Sequence, residues 1–566
     1  MRKLLLLLVF LVLPPASAQE WAVTYGGSNY DEAFTIQETD DGGYIVAGWT
    51  ASFGAGSADF WILKLNDSGN VEWQKTYGGS GWDGANCIQQ TNDGGYVVAG
   101  CTCSFGAGLE DVWVLKLDEN GNVEWQKTYG GSYWDWATSI QQTDDGGYVV
   151  AGYTCSFGVG LEDVWILKLD ENGNVEWQKT YGGSNDDVAK SIQQTSDGGY
   201  IVAGVTGSFG AGLEDVWVLK LDEDGNVEWQ KTYGGSWSDW AESIQQTDDG
   251  GYIVAGGTYS FAGLEDVWVL KLDENGSVEW QKTYGGSDHD WAGSIQQTSD
   301  GGYIVAGVTG SFGACDWDVW VLKLNDSGNV EWQKTYGGSD LDGAWSIQQT
   351  DDGGYIVAGG TDSFRAGDWN VWVLKLDEDG DIPGCNIVGE SDAVVTTPYV
   401  EVTNTNAIVQ ETHAIVIDTN ANVTTTNASG NYVCYSHLRK PIADFTYEIS
   451  GMNVTFNASM SYDPDGNIVS YEWEFGDGCN ETTTSPIVNH TYSPGIYTVT
   501  LTATDNDGLK NTTSKVIAIS LEPWQLYDQN HDGKIDDQEL INAILDWLNN
   551  LISDEQLINI ILKWLS

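Results

Sequence analysis

The chain has 566 residues, enough for three or four domains of about 150 residues, and 41% of them are hydrophobic, which suffices for packed cores. Its 83 Asp and Glu against 23 Lys and Arg give a net charge of −60, which repels nucleic acid and anionic lipid and attracts cations. Five histidines and three arginines exclude an arginine cluster for phosphate or carboxylate and leave little room for histidine chemistry.

The first predicted element is a leader. A cationic start, Met1-Arg2-Lys3, precedes an apolar run from Leu4 to Leu13, and Ala16-Ser17-Ala18 fits a cleavage site before Gln19. Residues 1–18 therefore read as a signal peptide. The run is too short to span a bilayer, and no later apolar run is long enough. The expectation is a secreted or cell-surface protein with no transmembrane anchor and no nucleic-acid partner. Eight cysteines then lie where disulfides form; their pairing is open, although Cys385 and Cys434 bracket one segment.

Residues 19–384 contain seven copies of one unit. Tyr-Gly-Gly-Ser recurs with its Tyr at 25, 77, 129, 181, 233, 284 and 336. In the third copy, strands are predicted over 137–143, 148–154, 163–169 and 175–181, rich in β-branched and aromatic residues and separated by Gly/Asp/Asn turns. Four short strands at this period make a blade, so the fold class is mainly β, with a seven-bladed β-propeller first. The seventh copy stops at Ile382-Pro383 without its last strand, and the mature N-terminus carries that strand as Glu20-Trp21-Ala22-Val23-Thr24-Tyr25. The N-terminus is thus expected to complete the last blade.

A single active site cannot be written seven times, so repeated residues read as structural. Trp61, Trp113 and their equivalents are blade packers. Asp31, Asp83, Asp135, Asp187, Asp239, Asp290 and Asp342 are loop braces that accept backbone N–H bonds, with a repeated cation site as the alternative. Variation clusters in the connections of one face, where Trp82, Trp134, Trp136, Trp237, Trp240, Trp291 and Trp345 stand near acids and amides. Flat apolar plates with polar neighbours suit a glycan or a surface protein; the alternative is that these rings fill gaps between blades. No catalytic residue is assigned. Sialidase chemistry would need an arginine cluster where the repeats have only Arg365, and copper oxidation would need several histidines where they have only His289.

Residues 385–440 carry a weak seven-residue repeat of Thr, Val and Asn, read as a β-rich spacer. From Ala393 the repeat units contain no Leu and their β-branched residues alternate with polar ones, which excludes a coiled coil. Asn-x-Ser/Thr sequons are dense from there toward the C-terminus, with three more in the repeats at Asn66, Asn275 and Asn325.

Residues 441–520 contain Ser461-Tyr462-Asp463-Pro464-Asp465-Gly466, then Tyr471-Glu472-Trp473-Glu474-Phe475-Gly476-Asp477-Gly478, then Asn489-His490-Thr491-Tyr492. This segment resembles a PKD domain, which implies an immunoglobulin-like β-sandwich acting as a spacer or an adhesive unit.

In residues 521–566, Asp528, Asn530, Asp532, Lys534 (through its carbonyl), Asp536 and Glu539 fall at the ligand positions of a twelve-residue EF-hand loop, with Gly533 at the sharp turn. Calcium is the implied cofactor. A helix carrying Ile541, Ile544, Leu545 and Leu548 on one face follows, and Ser553 with Gln556 forms a capping box for a last helix. The loop-then-helix order resembles half of a dockerin, whose partner would be cohesin-like. The whole organisation resembles multidomain archaeal and bacterial surface proteins. It implies a non-enzymatic extracellular binding or adhesion protein with a calcium-binding docking tail. The alternatives are a secreted polysaccharide-degrading enzyme and a structural cell-envelope component.

Overall fold

The computed structural model describes residues 20–385 except 262–263, 315 and 366, parts of 387–435, 440–519 except 465 and 507, and 527–528, 534–548 and 553–565. The leader lies outside the described residues. Contacts divide the chain into residues 1–436 and 437–566.

Each repeat forms one antiparallel sheet. In the third, Asp135–Gln142, Tyr148–Thr154, Asp163–Leu169 and Val175–Gly182 pair in chain order. The third strand is buried along its whole length, which is why it reads as a nearly continuous apolar run. Its one cation, Lys168, lies along apolar surface and reaches out to Asp145 at 2.8 Å and Glu176 at 2.9 Å. The tight turn before Tyr148 needs Gly146, whose φ is 85°. Trp21–Tyr25 pairs with Asn370–Leu376 and supplies the strand that the seventh repeat lacks.

Successive sheets pack face to face, with each Trp of the third strand seated between two repeats. Trp113, for example, packs with Ile45, Phe60 and Ile88. The seventh sheet packs on the first in the same way: Ile356, Ala358, Val371 and Val373 share a core with Ile36, Val46 and Trp61. Backbone N–H groups of Ile36 and Glu38 donate to Ser346 and Gln348 across that contact. One cavity of about 260 Å³ is lined by an Ile-Gln pair from every repeat, Ile36-Gln37 through Ile347-Gln348.

The repeated Asp residues brace the connections, as their position suggested. Asp135 Oδ2 accepts from Gly131 N at 2.8 Å and Ser156 Oγ at 2.7 Å, and Oδ1 accepts from Thr154. A second set was not anticipated. Asp59, Asp111, Asp163, Asp215, Asp266 and Asp318 open the third strands, buried, each facing the brace of the next repeat across a glycine. A Cβ on Gly130 would collide with Asp111 Oδ1 and stand 3.0 Å from Asp135 Oδ2.

The spacer reading of residues 385–440 is corrected. Their short strands return along the seven sheets and add a fifth strand to each. Val388–Glu390 pairs with the sixth repeat, Val394–Thr396 with the fifth, Glu401–Asn404 with the fourth, Ile408–Glu411 with the third, Ile415–Asp418 with the second and Asn422–Thr425 with the first. Asn431–Tyr435 ends on Trp21–Tyr25. The physical reason is edge satisfaction. The outermost strand of each sheet would otherwise present unpaired N–H and C=O groups. Three or four residues of each unit pair with the sheet. Thr426 and Ser391 also accept the indole N–H of Trp61 and Trp320, at 3.3 and 3.0 Å. A disulfide joins Cys385 to Cys434, with Cα atoms 5.9 Å apart, so this belt begins and ends on the seventh sheet.

In the second unit, Thr446–Ser450, Asn453–Asn457 and Ile487–Thr491 make one sheet, and Asn480–Thr483, Ile468–Glu474, Gly495–Asp505 and Lys510–Ile519 make another. Phe445, Phe456, Trp473, Val499, Leu501 and Ile517 share their core. Two helices, Asp537–Leu548 and Asp554–Leu565, complete the described chain, and no helix among the described residues is long and apolar enough to cross a membrane.

Candidate ligand-binding face and calcium loop

Each repeat starts its first strand with the brace Asp, and the next residue differs from repeat to repeat. That residue is Gly84, Trp136, Val188, Trp240, Trp291 or Gly343 in six repeats, and Glu32 in the first. Glu32 is 9% exposed and accepts a hydrogen bond from Trp345 Nε1 at 3.0 Å. Burial pushes its carboxyl up to about 7, against the opposing effect of that bond. It lines a pocket of about 360 Å³ together with Tyr30, Trp317, Trp345, Trp369 and the Arg365–Asp362 ion pair. Gly343 also lines it. The buried Trp369 Nε1 has no acceptor among the described residues.

Aromatic rings continue from the pocket across neighbouring repeats. Tyr30 stacks on Trp369 and on Trp49, with centroids 5.9 and 5.2 Å apart. Trp49 meets Trp82 edge-on, Trp82 stacks on Trp136 at 5.7 Å, and Trp136 stacks on Tyr153 at 5.9 Å. Trp240 packs on Tyr259, and Trp291 on Trp317. Carboxylates anchor these rings: Glu110 accepts from Trp136 Nε1, and Glu265 accepts from Tyr259 at 3.0 Å and meets His289 Nδ1 at 3.2 Å. Burial also pushes the Glu265 carboxyl up.

Of the seven tryptophans singled out from the sequence, Trp82, Trp136, Trp240, Trp291 and Trp345 are half-buried in these clusters. Trp134 and Trp237 stand out at 50% and 61% exposure. Sequence reasoning missed Glu32. The signal was present in the repeat alignment, where it is the one carboxylate at its position.

The C-terminal loop is partly described. Asp528 and Glu539, its first and twelfth positions, are buried at 7% and 4% exposure, and Lys534 is exposed. Asp536 caps the helix: its Oδ1 accepts from Glu539 N, and its own N donates to Glu539 Oε2, both at 2.9 Å. Asn530 and Asp532 lie outside the described residues. Ile535 packs with Tyr527, Ala543, Leu557 and Ile560. The expected capping box is present, with Ser553 N donating to Gln556 Oε1 at 2.8 Å. The face bearing Ile541, Ile544, Leu545 and Leu548 remains 36–62% exposed, because Ala543 and Leu540 supply the packing side instead.

The PKD domain family profile matches residues 444–518, the two-sheet unit described above. Residues 444–518 are a PKD domain. The chain is 45% identical over 71 residues to a microbial collagenase of Vibrio alginolyticus, covering 12% of this chain and 8% of that protein. It is 40% identical over 79 residues to the pre-pro-metalloprotease PrtV of Vibrio cholerae, covering 14% and 8%. The crystal structure of the PKD1 domain of that metalloprotease aligns at 37% identity over 14% of this chain and 99% of that one, with a TM-score of 0.14. The chain thus spans less than a tenth of the length of these curated relatives.

Proposed function

We propose that the chain is an extracellular binding protein whose seven sheets form a closed seven-bladed β-propeller and hold a glycan or a surface protein in the pocket around Glu32. The observation that carries the reading is that pocket, about 360 Å³ walled by Tyr30, Trp317, Trp345 and Trp369. Aromatic plates bind the apolar faces of sugars and side chains, while Glu32 and Arg365 orient polar groups. Ring closure is supported by the N-terminal strand in the seventh sheet, by the packing of that sheet on the first, and by the cavity that all seven repeats line. The extracellular site is supported by the leader pattern and the Cys385–Cys434 disulfide.

The test is a glycan and surface-protein array probed with the full chain. Trp345→Ala and Glu32→Gln are expected to weaken the captured ligand about tenfold, roughly 1.4 kcal/mol, with little change in melting temperature. Variants that bind like the parent would remove the pocket from the reading. A second reading, glycoside hydrolysis, is favoured by one observation: a carboxyl at about 7 is half protonated at neutral pH and could act as a general acid. Hydrolysis of the captured glycan, lost in Glu32→Gln, would decide for it.

We also infer that the tail binds calcium through Asp528, Asn530, Asp532, the Lys534 carbonyl, Asp536 and Glu539. Two buried carboxylates at the ends of one loop fit a hard cation that takes oxygen ligands. The exposed Ile541, Leu545 and Leu548 face suits docking to a cohesin-like partner. Calcium at a hundredfold excess over Kd is expected to stabilise the helical tail by about 2.7 kcal/mol. Calorimetric titration of the full chain should lose this site in Asp528→Ala and in Glu539→Ala.

A further inference from the structure

The PKD domain brings together three side chains of different ligand chemistry. Asp477 and Cys479 sit on the turn after Phe475, and His490 on the strand Ile487–Thr491. Their ligating atoms all lie within 4.8 Å of one another. Phe475 N donates to Cys479 O at 3.0 Å and closes the turn, which passes through Gly476 and Gly478 at φ 78° and 92°. Cys479 N donates to Asp477 Oδ1, also at 3.0 Å, so the thiol and the carboxylate are tied by the backbone.

The imidazole is held as well. It stacks on Phe475 with centroids 4.0 Å apart and planes 3° from parallel, and meets Tyr492 edge-on at 4.6 Å. Its Nε2 lies 2.7 Å from Asp477 Oδ2. The imidazole rotamer that a metal would have to fix is thus already fixed by packing.

We propose that Asp477, Cys479 and His490 form a binding site for a borderline-soft divalent cation of the zinc class. Zinc takes Cys, His and carboxylate ligands at about 2.0–2.3 Å in a tetrahedron, so its ligand atoms lie on the order of 3–4 Å apart. The cluster reaches that by a small contraction, in which the cation replaces the hydrogen shared by Asp477 and His490. One thiolate, one carboxylate and one neutral imidazole balance the charge of a divalent ion, and the surface position leaves the fourth place to water. The thiolate separates this site from the all-oxygen loop of the tail, which suits a hard cation. A cysteine binds such a cation as its thiolate, giving up the thiol proton. Binding should therefore release a proton and tighten as pH rises.

The experiment uses the full-length protein with the Cys385–Cys434 disulfide intact and saturating calcium, titrated with cobalt(II) as a spectroscopic stand-in for zinc. The expected result is one equivalent of cobalt with a thiolate-to-metal charge-transfer band, bleached by zinc. Cys479→Ser should abolish the band although Cys87, Cys101, Cys103 and Cys155 remain. His490→Asn should weaken binding by at least the roughly ten- to hundredfold that loss of an outer-shell partner costs. His490→Asn also removes a packed ring, so its calcium-loaded melting curve is measured alongside, and Asp477→Asn serves as a variant that keeps the packing. No charge-transfer band, or a band that persists in Cys479→Ser, would overturn the proposal, as would binding unchanged in Asp477→Asn.

Discussion

Reducing the Cys385–Cys434 disulfide is expected to lower the melting temperature of the unit spanning residues 1–436 more than any other single change. The bond closes a loop with a sequence separation of 49, for which the chain-entropy relation gives about 4 kcal/mol. The native contacts make the same case. Between these cysteines the chain lays one strand on the outer edge of each of the seven sheets, and Asn431–Tyr435 lies on the N-terminal strand Trp21–Tyr25, which has no covalent neighbour in its own sheet. Releasing Cys434 frees the last strand of the belt, and through it the strand that completes the seventh sheet. Opening there exposes ladder groups that the belt had paired. Thermal melts of Cys385→Ser/Cys434→Ser against the parent, with hydrogen exchange at residues 21–25 and 431–435, check this. Equal melting temperatures and equal protection would mean that the belt holds without its clasp.

The repeat made most of the first unit legible. Strands expected over 148–154 and 163–169 are Tyr148–Thr154 and Asp163–Leu169, because Gly-containing turns and β-branched runs are local signals. The belt was not legible in the same way. Its alternating Val, Ile and Thr residues mark it as β, but its partners lie up to about four hundred and ten residues away, as with Asn431–Tyr435 on Trp21–Tyr25. A short strand with no chain-adjacent partner looks like a spacer. The pocket failed for a different reason: the reading followed tryptophans, whereas Glu32 stands out only when the repeats are stacked and the one carboxylate among Gly, Val and Trp is noticed. The Asp set of the third strands was hidden by its own regularity, since a residue repeated in nearly every copy reads as packing.

That Asp set sets the pH dependence of stability. Asp111 is 1% exposed, its Oδ2 accepts from Ala107 and Gly108, and its Oδ1 has no partner among the described residues. Across Gly130 stands Asp135, whose oxygens already accept three hydrogen bonds. A proton on Asp111 Oδ1 completes the arrangement. Accordingly, burial and then the facing carboxylate push Asp111 up to about 6, and Asp266, facing Asp290, up to about 7. At the seventh junction Asn370 replaces the acid, and its Nδ2 donates to Asp31 Oδ2 at 3.4 Å, an amide standing where the other junctions have a carboxyl.

For acids raised in the folded state, stability is complete below the unfolded value of 3.8 and is lost as pH rises through 6 to 7. Asp111 alone corresponds to roughly 3 kcal/mol between those limits. The opposite group is Asp93, Asp145 and their equivalents. Burial pushes these up, but their lysine, threonine and backbone partners outweigh it and hold all of them down, Asp93, Asp145, Asp197, Asp249 and Asp300 at about 2. Their contribution is present above 3.8 and is lost as pH falls toward 2. The two groups together place the highest melting temperature at about pH 4–5, falling toward neutrality. Asp111→Asn should imitate Asn370, make the protein more stable than the parent at pH 8, and flatten the alkaline limb. Asp111→Ala, which leaves Asp135 facing a void, should destabilise at every pH. Melting curves from pH 3 to pH 9 on the parent and both variants decide the matter. An Asp111→Asn protein less stable than the parent at pH 8 would show that these junctions need the charge, as a bound cation would require, and would remove the shared proton from the account.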